Sequence, residues 1–99
     1  SRSTPQLELE SNIAKLLCAK INKTVSSKTN SMPITITINE IKAHLAKGYQ
    51  MHHYSKTIAN ACRKMGFELE RYNKGMRLII NSADTMDDLM DKYLIGKAA

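Results

Sequence analysis

The sequence predicts a small α+β domain in which helices pack against a short antiparallel sheet. Its 99 residues are enough for one hydrophobic core but not for two. Apolar residues recur at helical spacing in four segments and alternate with polar residues in three shorter ones. The order of these segments is the third observation, because two short helical patterns joined by a turn are followed at once by a hairpin pattern.

The first helix is predicted from near Leu7 to Val25. Its apolar stripe recurs at helical spacing and comprises Leu9, Ile13, Leu16, Leu17 and Ile21. The polar residues 1–6 before it are expected to form a flexible lead or linker, so we expect the chain to be a domain of a longer protein. The domain is expected to span residues 7–96, with a tail at 97–99.

A short strand and a second helix are predicted after a polar loop at residues 26–33. Residues 34–37 alternate isoleucine with threonine, as a half-buried strand does. Thr37 and Glu40 have the spacing of a capping box, which predicts that a helix begins there. Gly48 is placed to end that helix in a left-handed conformation. The predicted buried stripe of the helix is Ile38, Ile41 and Leu45.

The third helix is predicted to follow a short connection at residues 49–52. Gly66 is its expected terminator. Its inward face is predicted to comprise Tyr54, Ile58, Ala61, Cys62 and Met65. Two helices of about three turns joined by a short turn form a helix-turn-helix.

A β-hairpin is predicted directly after this pair of helices. Apolar and polar residues alternate before and after the turn sequence 72–75. Within that turn, Asn73 and Gly75 tolerate positive φ angles. Alternation is expected to place Arg71 and Arg77 on a different face from the apolar set Leu69, Leu78 and Ile80. The short strand at residues 34–37 is expected to pair with the hairpin and close a three-stranded sheet.

A fourth helix is predicted from the capping pair Thr85 and Asp88 up to Gly96. Its apolar residues keep helical spacing and comprise Met86, Leu89, Met90, Tyr93 and Leu94. Packing of this stripe on Leu9, Ile13 and Leu16 is favoured over its use as a partner-binding face. The complete order of helix, strand, helix, helix, hairpin and helix is that of a winged helix, which is the fold we expect.

The outward face of the third helix is the predicted contact with nucleic acid. It presents Ser55, Lys56, Thr57, Ala59, Asn60, Arg63 and Lys64. Asparagine can contact adenine, arginine can contact guanine, and the lysine and hydroxyl side chains can hold phosphates. No acidic residue occurs from Tyr49 to Phe67, whereas an ordinary exposed helix mixes both signs. This favours a DNA-binding surface over a merely solvated one.

The hairpin, or wing, adds further candidate contacts, which are Arg71, Tyr72, Lys74 and Arg77. His53, in the turn before the third helix, is also expected to meet phosphate. Residues 49–77 hold six basic and two acidic residues, whereas residues 78–95 hold one basic and four acidic residues. Glu68 and Glu70 at the base of the hairpin would repel DNA, so the tip is the expected contact.

Several classes of function are not indicated. No apolar run approaches the roughly 20 residues needed to cross a bilayer, so we expect no membrane partner. No phosphate-binding loop, nucleophile elbow or acid pair occurs, so we expect neither enzymatic activity of this domain nor a cofactor, although the parent protein can be an enzyme. The potential ligands His44, His52, His53 and Cys62 lack the spacing of a metal site.

The two cysteines, Cys18 and Cys62, fall on apolar helix faces. Reduced thiols behave there as small hydrophobic groups, which favours an intracellular location in cytoplasm or nucleus. A single disulfide is the alternative.

One segment of the chain resembles a known family. From Tyr54 a helix runs into residues 63–67, which read Arg-Lys-Met-Gly-Phe, and residues 70–75 and a Met-Arg-Leu-Ile-Ile strand at 76–80 follow. These residues resemble the C-terminal winged-helix domains of replicative primase-helicases from viruses, phages and plasmids. The resemblance implies an accessory module for DNA replication behind an ATP-driven motor, and it implies no ATPase or primase activity for this chain. Duplex DNA is therefore the expected partner.

Two other functions stay open at this point. Winged helices also bind proteins, so an interaction module within a replication or transcription complex is one alternative. The other is a transcription regulator that dimerises through the long first helix.

Overall fold

The computed structural model describes residues 3–95 of the chain. These residues form four α-helices and three strands of one antiparallel sheet, so the fold is α+β and is compatible with a winged-helix-like layout. The elements are α1 (Thr4–Val25), β1 (Ile34–Thr37), α2 (Ile38–Gly48), α3 (Ser55–Lys64), β2 (Leu69–Tyr72), β3 (Gly75–Ile80) and α4 (Asp84–Leu89), which continues as a π-helical segment at Met90–Ile95. The predicted terminator Gly96 and the tail 97–99 lie outside the described residues.

Helix α1 begins at Thr4, three residues before the predicted start. The Ser3 hydroxyl accepts a hydrogen bond from the Gln6 amide at 3.3 Å, and Pro5 occupies the first turn, where a missing N–H costs nothing. Residues 4–6, expected in a flexible lead, are therefore helical. The predicted apolar stripe of α1 is confirmed, since Leu9, Ile13, Leu16, Leu17 and Ile21 are all buried.

The sheet has the order β1-β3-β2, and both strand pairs are antiparallel. Ile36 of β1 and Leu69 of β2 both lie opposite Leu78 of β3, so these three side chains share one face. Ile36, Leu78 and Ile80 on that face are buried against the helices. The predicted pairing of the short strand with the hairpin is confirmed.

Helix α2 begins with the predicted capping box but ends differently. The Thr37 amide donates to Glu40 Oε2 at 2.9 Å, and the Glu40 amide donates to Thr37 Oγ1 at 3.0 Å. The left-handed residue is Gln50, with φ 53°, so the prediction for Gly48 is wrong. The physical reason is that the helical hydrogen bonding continues beyond Gly48, because the Leu45 carbonyl accepts hydrogen bonds from the amides of Tyr49 and Met51.

Helix α3 differs from its prediction at two side chains. Tyr54 was expected on the inward face but is the residue before the first helical turn, and its side chain is 83% exposed. Ala59 was expected on the outward face but is only 7% exposed, because α3 packs on α1 and α2 and its short side chain joins the core cluster. The other four inward residues are buried, and Gly66 ends the segment with φ 100° as predicted.

In the hairpin, Asn73 takes the positive φ of the turn at 53°, and Gly75 begins β3. Arg71 lies opposite Met76, and it is two residues from Leu69, so it shares the inner face of the sheet with both. The expected separation of Arg71 from Leu69 is therefore wrong. Arg77 does lie on the outer face, opposite Glu70.

The last helical segment packs on α1, as favoured from the sequence. Leu89 and Tyr93 are buried in one cluster with the α1 stripe, and the Ser11 hydroxyl donates to the Tyr93 carbonyl at 3.4 Å. The predicted Thr85 and Asp88 cap is wrong, because the helix begins at Asp84 with Ala83 as its N-cap residue, so Thr85 lies within the first turn. The Ser82 hydroxyl accepts a hydrogen bond from the Asp84 amide at 3.1 Å. Among residues 3–95, no helix has both the length and the apolar character needed to cross a membrane.

Candidate nucleic-acid interface

Helix α3 is anchored by one face and presents the other to solvent. Ile58, Ala61, Cys62 and Met65 are buried in the core. The predicted polar set is exposed and comprises Lys56, Thr57, Asn60, Arg63 and Lys64. The amphipathic spacing therefore fixes the rotation of the helix about its axis, with its cationic face outward.

A groove of about 300 Å³ separates α3 from the tip of the hairpin. Ser55, Lys56 and Arg63 line it on the α3 side, and Lys74 lines it on the hairpin side. The structure thus brings together four of the predicted contact residues, with Lys74 of the hairpin 11 positions from Arg63 of α3 in the sequence. Among residues 3–95, no residue that lines the groove carries a carboxylate. In the same part of the chain, no acid forms an ion pair with Lys56, Arg63 or Lys74.

A second hollow, of about 650 Å³, continues this groove along the start of α2. The two share Asn39, Lys74, Gly75 and Met76, so we treat them as one trough, defined by the residues that line either hollow. Thr37, Tyr72 and Asn73 also line the second hollow. The trough therefore combines α3, the first turn of α2 and the tip of the hairpin.

Asn39 lines both hollows and was not predicted from the sequence. It is an exposed amide in the first turn of α2, beside the buried Ile38. The available signal was its polar side chain next to the capping box, since a residue there must lie off the buried stripe. Its proximity to the hairpin depends on tertiary packing and has no sequence signal.

The beginning of α3 offers backbone donors beside the trough. Its first internal hydrogen bond runs from the Ile58 amide to the Tyr54 carbonyl at 3.1 Å, so the amides of the preceding turn have no partner within the helix. Within the described chain no side chain caps this end, and its first turn holds no acid. The positive end of the helix dipole adds to the charge of Lys56.

Arg63 and Asn60 form a small polar unit on the outward face. Arg63 Nη1 donates to Asn60 Oδ1 at 3.2 Å, one helical turn away. This bond uses the amide oxygen of Asn60 and leaves its NH₂ group directed at solvent. Both residues keep hydrogen-bond donors that could reach an acceptor outside the protein.

Arg77 is already engaged within the hairpin. Its Nε donates to Glu70 Oε1 at 2.6 Å, and its Cζ lies 4.2 Å from the centroid of the Tyr72 ring. Its charge is therefore largely balanced by an acid on the neighbouring strand. Arg77 does not line the trough, nor does Arg71, which is exposed on β2.

The remaining predicted residues do not line the trough. Thr57, Asn60 and Lys64 occupy the outward face of α3, and His53 is half-buried just before the helix. In the described part of the chain, no three histidine, cysteine, aspartate or glutamate side chains come together as a metal site requires.

Both cysteines are free thiols. Cys62 is fully buried, and burial raises the pKa of its thiol from 9.0 to about 12, against the opposing effect of the Arg63 charge. Burial also raises the pKa of the half-buried Cys18. Both thiols are therefore protonated at neutral pH and act as packing groups.

Comparisons with protein-family models, curated proteins and solved structures gave no match. The resemblance to primase-helicase domains accordingly stays a prediction from the sequence. The geometry and charge of the trough are what bear on function.

Proposed function

We propose that this chain is a winged-helix domain that binds duplex DNA, with α3 in the major groove and the hairpin tip on the phosphate backbone. The observation that carries the proposal is the trough, where Lys56, Arg63 and Lys74 converge from α3 and the hairpin. Within residues 3–95, none of the residues that line it is acidic. An α-helix fits the width of the major groove, and convergent cations neutralise phosphates.

The residues of α3 divide into two roles in this proposal. Arg63 and Asn60 project donors from the outward face and contact base edges. Lys56, Ser55 and the first amides of α3 hold phosphate on one side, and Lys74 holds it on the other. Arg77 supports the hairpin through Glu70 and Tyr72 and is not assigned a DNA contact.

The sequence resemblance supports a more specific role. We propose that the domain serves inside the cell as an accessory module of a DNA replication protein of the primase-helicase type. In that role it contributes DNA binding, while the catalytic steps belong to other domains of such a protein.

Titration of a labelled duplex at several salt concentrations tests the binding proposal. We expect log Kd to vary linearly with log salt concentration, because cations of the trough displace counterions from the phosphates. Lys56→Ala and Lys74→Ala should each weaken binding and lower the salt slope by about 1, and Arg63→Ala should also relax sequence preference. Lys23→Ala, an exposed lysine at the end of α1, is the matched control and should change little.

Two results would contradict the proposal. One is the absence of duplex binding at about 50 mM salt, where nonspecific binding is still strong. The other is an equal loss of affinity for Lys23→Ala and for the trough variants, which would show a general charge effect. A single-stranded probe of the same sequence is measured in parallel. Tighter binding to that probe would identify single-stranded DNA, and not duplex DNA, as the ligand.

A further inference from the structure

A larger cleft, of about 1010 Å³, lies between β2 and the C-terminal helical segment, and none of its lining residues lines the trough. Its wall includes the half-buried apolar side chains Phe67, Leu69 and Ile79. Leu89 and Tyr93 line it from the helical side. The cleft is therefore partly apolar and open to solvent, in a domain whose other apolar stripes are covered.

The charge of this cleft is opposite to that of the trough. Glu68, Glu70, Asp88 and Asp91 line it, with Lys92 as the one cation among the described lining residues. Glu70 is paired with Arg77, but within residues 3–95 the other three carboxylates form no ion pair. The chain as a whole carries a net charge of +6, so this is a local reversal. Such a surface repels DNA and attracts a cationic segment.

The cleft also includes the start of an edge strand, since Leu69 and Glu70 of β2 line it. The sheet order β1-β3-β2 leaves β2 with β3 as its only strand neighbour among the described residues. The backbone groups on the other side of β2 can accept an additional strand. In such a strand, successive side chains point to opposite faces, so a sequence in which basic and apolar residues alternate would present each type to one face.

We propose that this cleft binds an extended segment of a partner protein in which basic and apolar residues alternate, added as a strand beside β2. Its apolar side chains would lie against Phe67 and Leu69, and its basic side chains would meet Glu68, Asp88 and Asp91. The open edge supplies backbone hydrogen bonds, the apolar wall supplies burial, and the carboxylates select the charge. This inference does not depend on DNA binding by the trough.

A labelled peptide of about ten residues in which lysine alternates with valine is the probe. We expect it to bind at low salt, and the combined substitution Glu68→Gln, Asp88→Asn and Asp91→Asn to weaken it at least about tenfold. Asp87→Asn is the matched control, because Asp87 is exposed on the same helix but does not line the cleft. Amide signals of Phe67, Leu69 and Glu70 in NMR spectra should shift on binding. Thermal unfolding of each variant verifies that the fold is kept.

Several results would overturn the inference. They include no binding of the peptide, an equal loss with Asp87→Asn, and equal affinity for a peptide of lysine alone, which would make the apolar wall irrelevant. A concentration-dependent dimer that the triple substitution dissociates would identify a second copy as the occupant instead. Binding of duplex DNA that the triple substitution abolishes would assign the cleft to nucleic acid.

Discussion

Asn39 lies in the first turn of α2 and lines both hollows of the trough. An acid at this position would act in opposite directions on folding and on DNA binding. It would meet the positive end of the α2 dipole, which is favourable, and it would place a negative charge beside Lys74, where phosphate is proposed to lie.

We therefore expect Asn39→Asp to leave the free energy of unfolding unchanged or to raise it by about 0.3–1 kcal/mol. The same variant should weaken duplex binding about threefold or more, through repulsion of phosphate. Urea unfolding and duplex titration on one preparation measure both effects. Asn39→Ala separates loss of the amide from gain of charge, and an undiminished duplex affinity of the aspartate variant would show that DNA does not approach α2.

Cys62 offers a prediction about pH. The folded chain holds the Cys62 proton more tightly than the unfolded chain, since burial raises the thiol pKa from 9.0 to about 12. This stabilisation is complete below pH 9.0 and is lost as the pH rises towards about 12. The expected loss approaches about 1.4 kcal/mol per pH unit within that range.

Urea unfolding of the wild type and of Cys62→Ala at several alkaline pH values isolates the cysteine, because lysine and tyrosine titrations are common to both proteins. The difference between the two free energies should fall as pH rises above 9.0. A constant difference would contradict the assignment. Alkylation adds a second test, in which Cys62 of the folded chain should react more slowly than the half-buried Cys18.

Single residues were the least predictable scale. Helical periodicity places a side chain on a face only when the residue belongs to the helix, and Tyr54 precedes the first turn of α3. Ala59 is buried because α3 packs on α1 and α2, an arrangement that no local pattern encodes. For the same reason, only the tertiary structure reveals that Asn39 and Lys74 line the same hollow.

At the scale of elements, the capping box of α2 joins the sheet to the helices. Thr37 ends β1, lies opposite Arg77 of β3, and caps α2 through its hydroxyl. Thr37 therefore lies where α2 leaves the sheet, and it also lines the second hollow of the trough.

We expect Thr37→Ala to lower the free energy of unfolding by about 1 kcal/mol, the usual cost of losing an N-cap hydroxyl. Thr37→Ser keeps the hydroxyl and should restore most of the loss. Thr35→Ala is the control for strand propensity, because Thr35 is exposed on the same strand and makes no cap. Equal losses for Thr35→Ala and Thr37→Ala in urea unfolding would show that the cap adds nothing.

Elements with strong local signals were predicted well. The capping box and the isoleucine–threonine alternation located β1 and α2 correctly, and asparagine marked the hairpin turn. The ends of helices were harder, because hydroxyls and carbonyls compete for the same donors. Ala83 is the N-cap residue of α4 where Thr85 was expected, and Gln50 takes the conformation expected of Gly48.

Across the whole molecule, the net charge of +6 conceals two surfaces of opposite sign. The trough gathers cations from α3 and the hairpin, and the cleft gathers acids from β2 and the last helix. Segment charges in the sequence indicated this division, since the acids concentrate after residue 77. The sequence could not show that Glu68 joins those acids, because the segment that leads into β2 and the last helix line one cleft only in the folded chain.

The hydrogen bond from Ser11 to the Tyr93 carbonyl joins residues 82 positions apart, and Cys18 contacts the Met86 carbonyl in the same antiparallel arrangement. The last helical segment therefore supplies part of the cover of the apolar stripe of α1, which also packs on α2, α3 and β1. During synthesis, α1 leaves the ribosome long before this part of its cover exists, so the side chains that face the last helical segment stay exposed in the nascent chain. This part of the core closes only after residues 84–95 have been synthesised, and a chain interrupted before residue 84 would leave that surface open to chaperones.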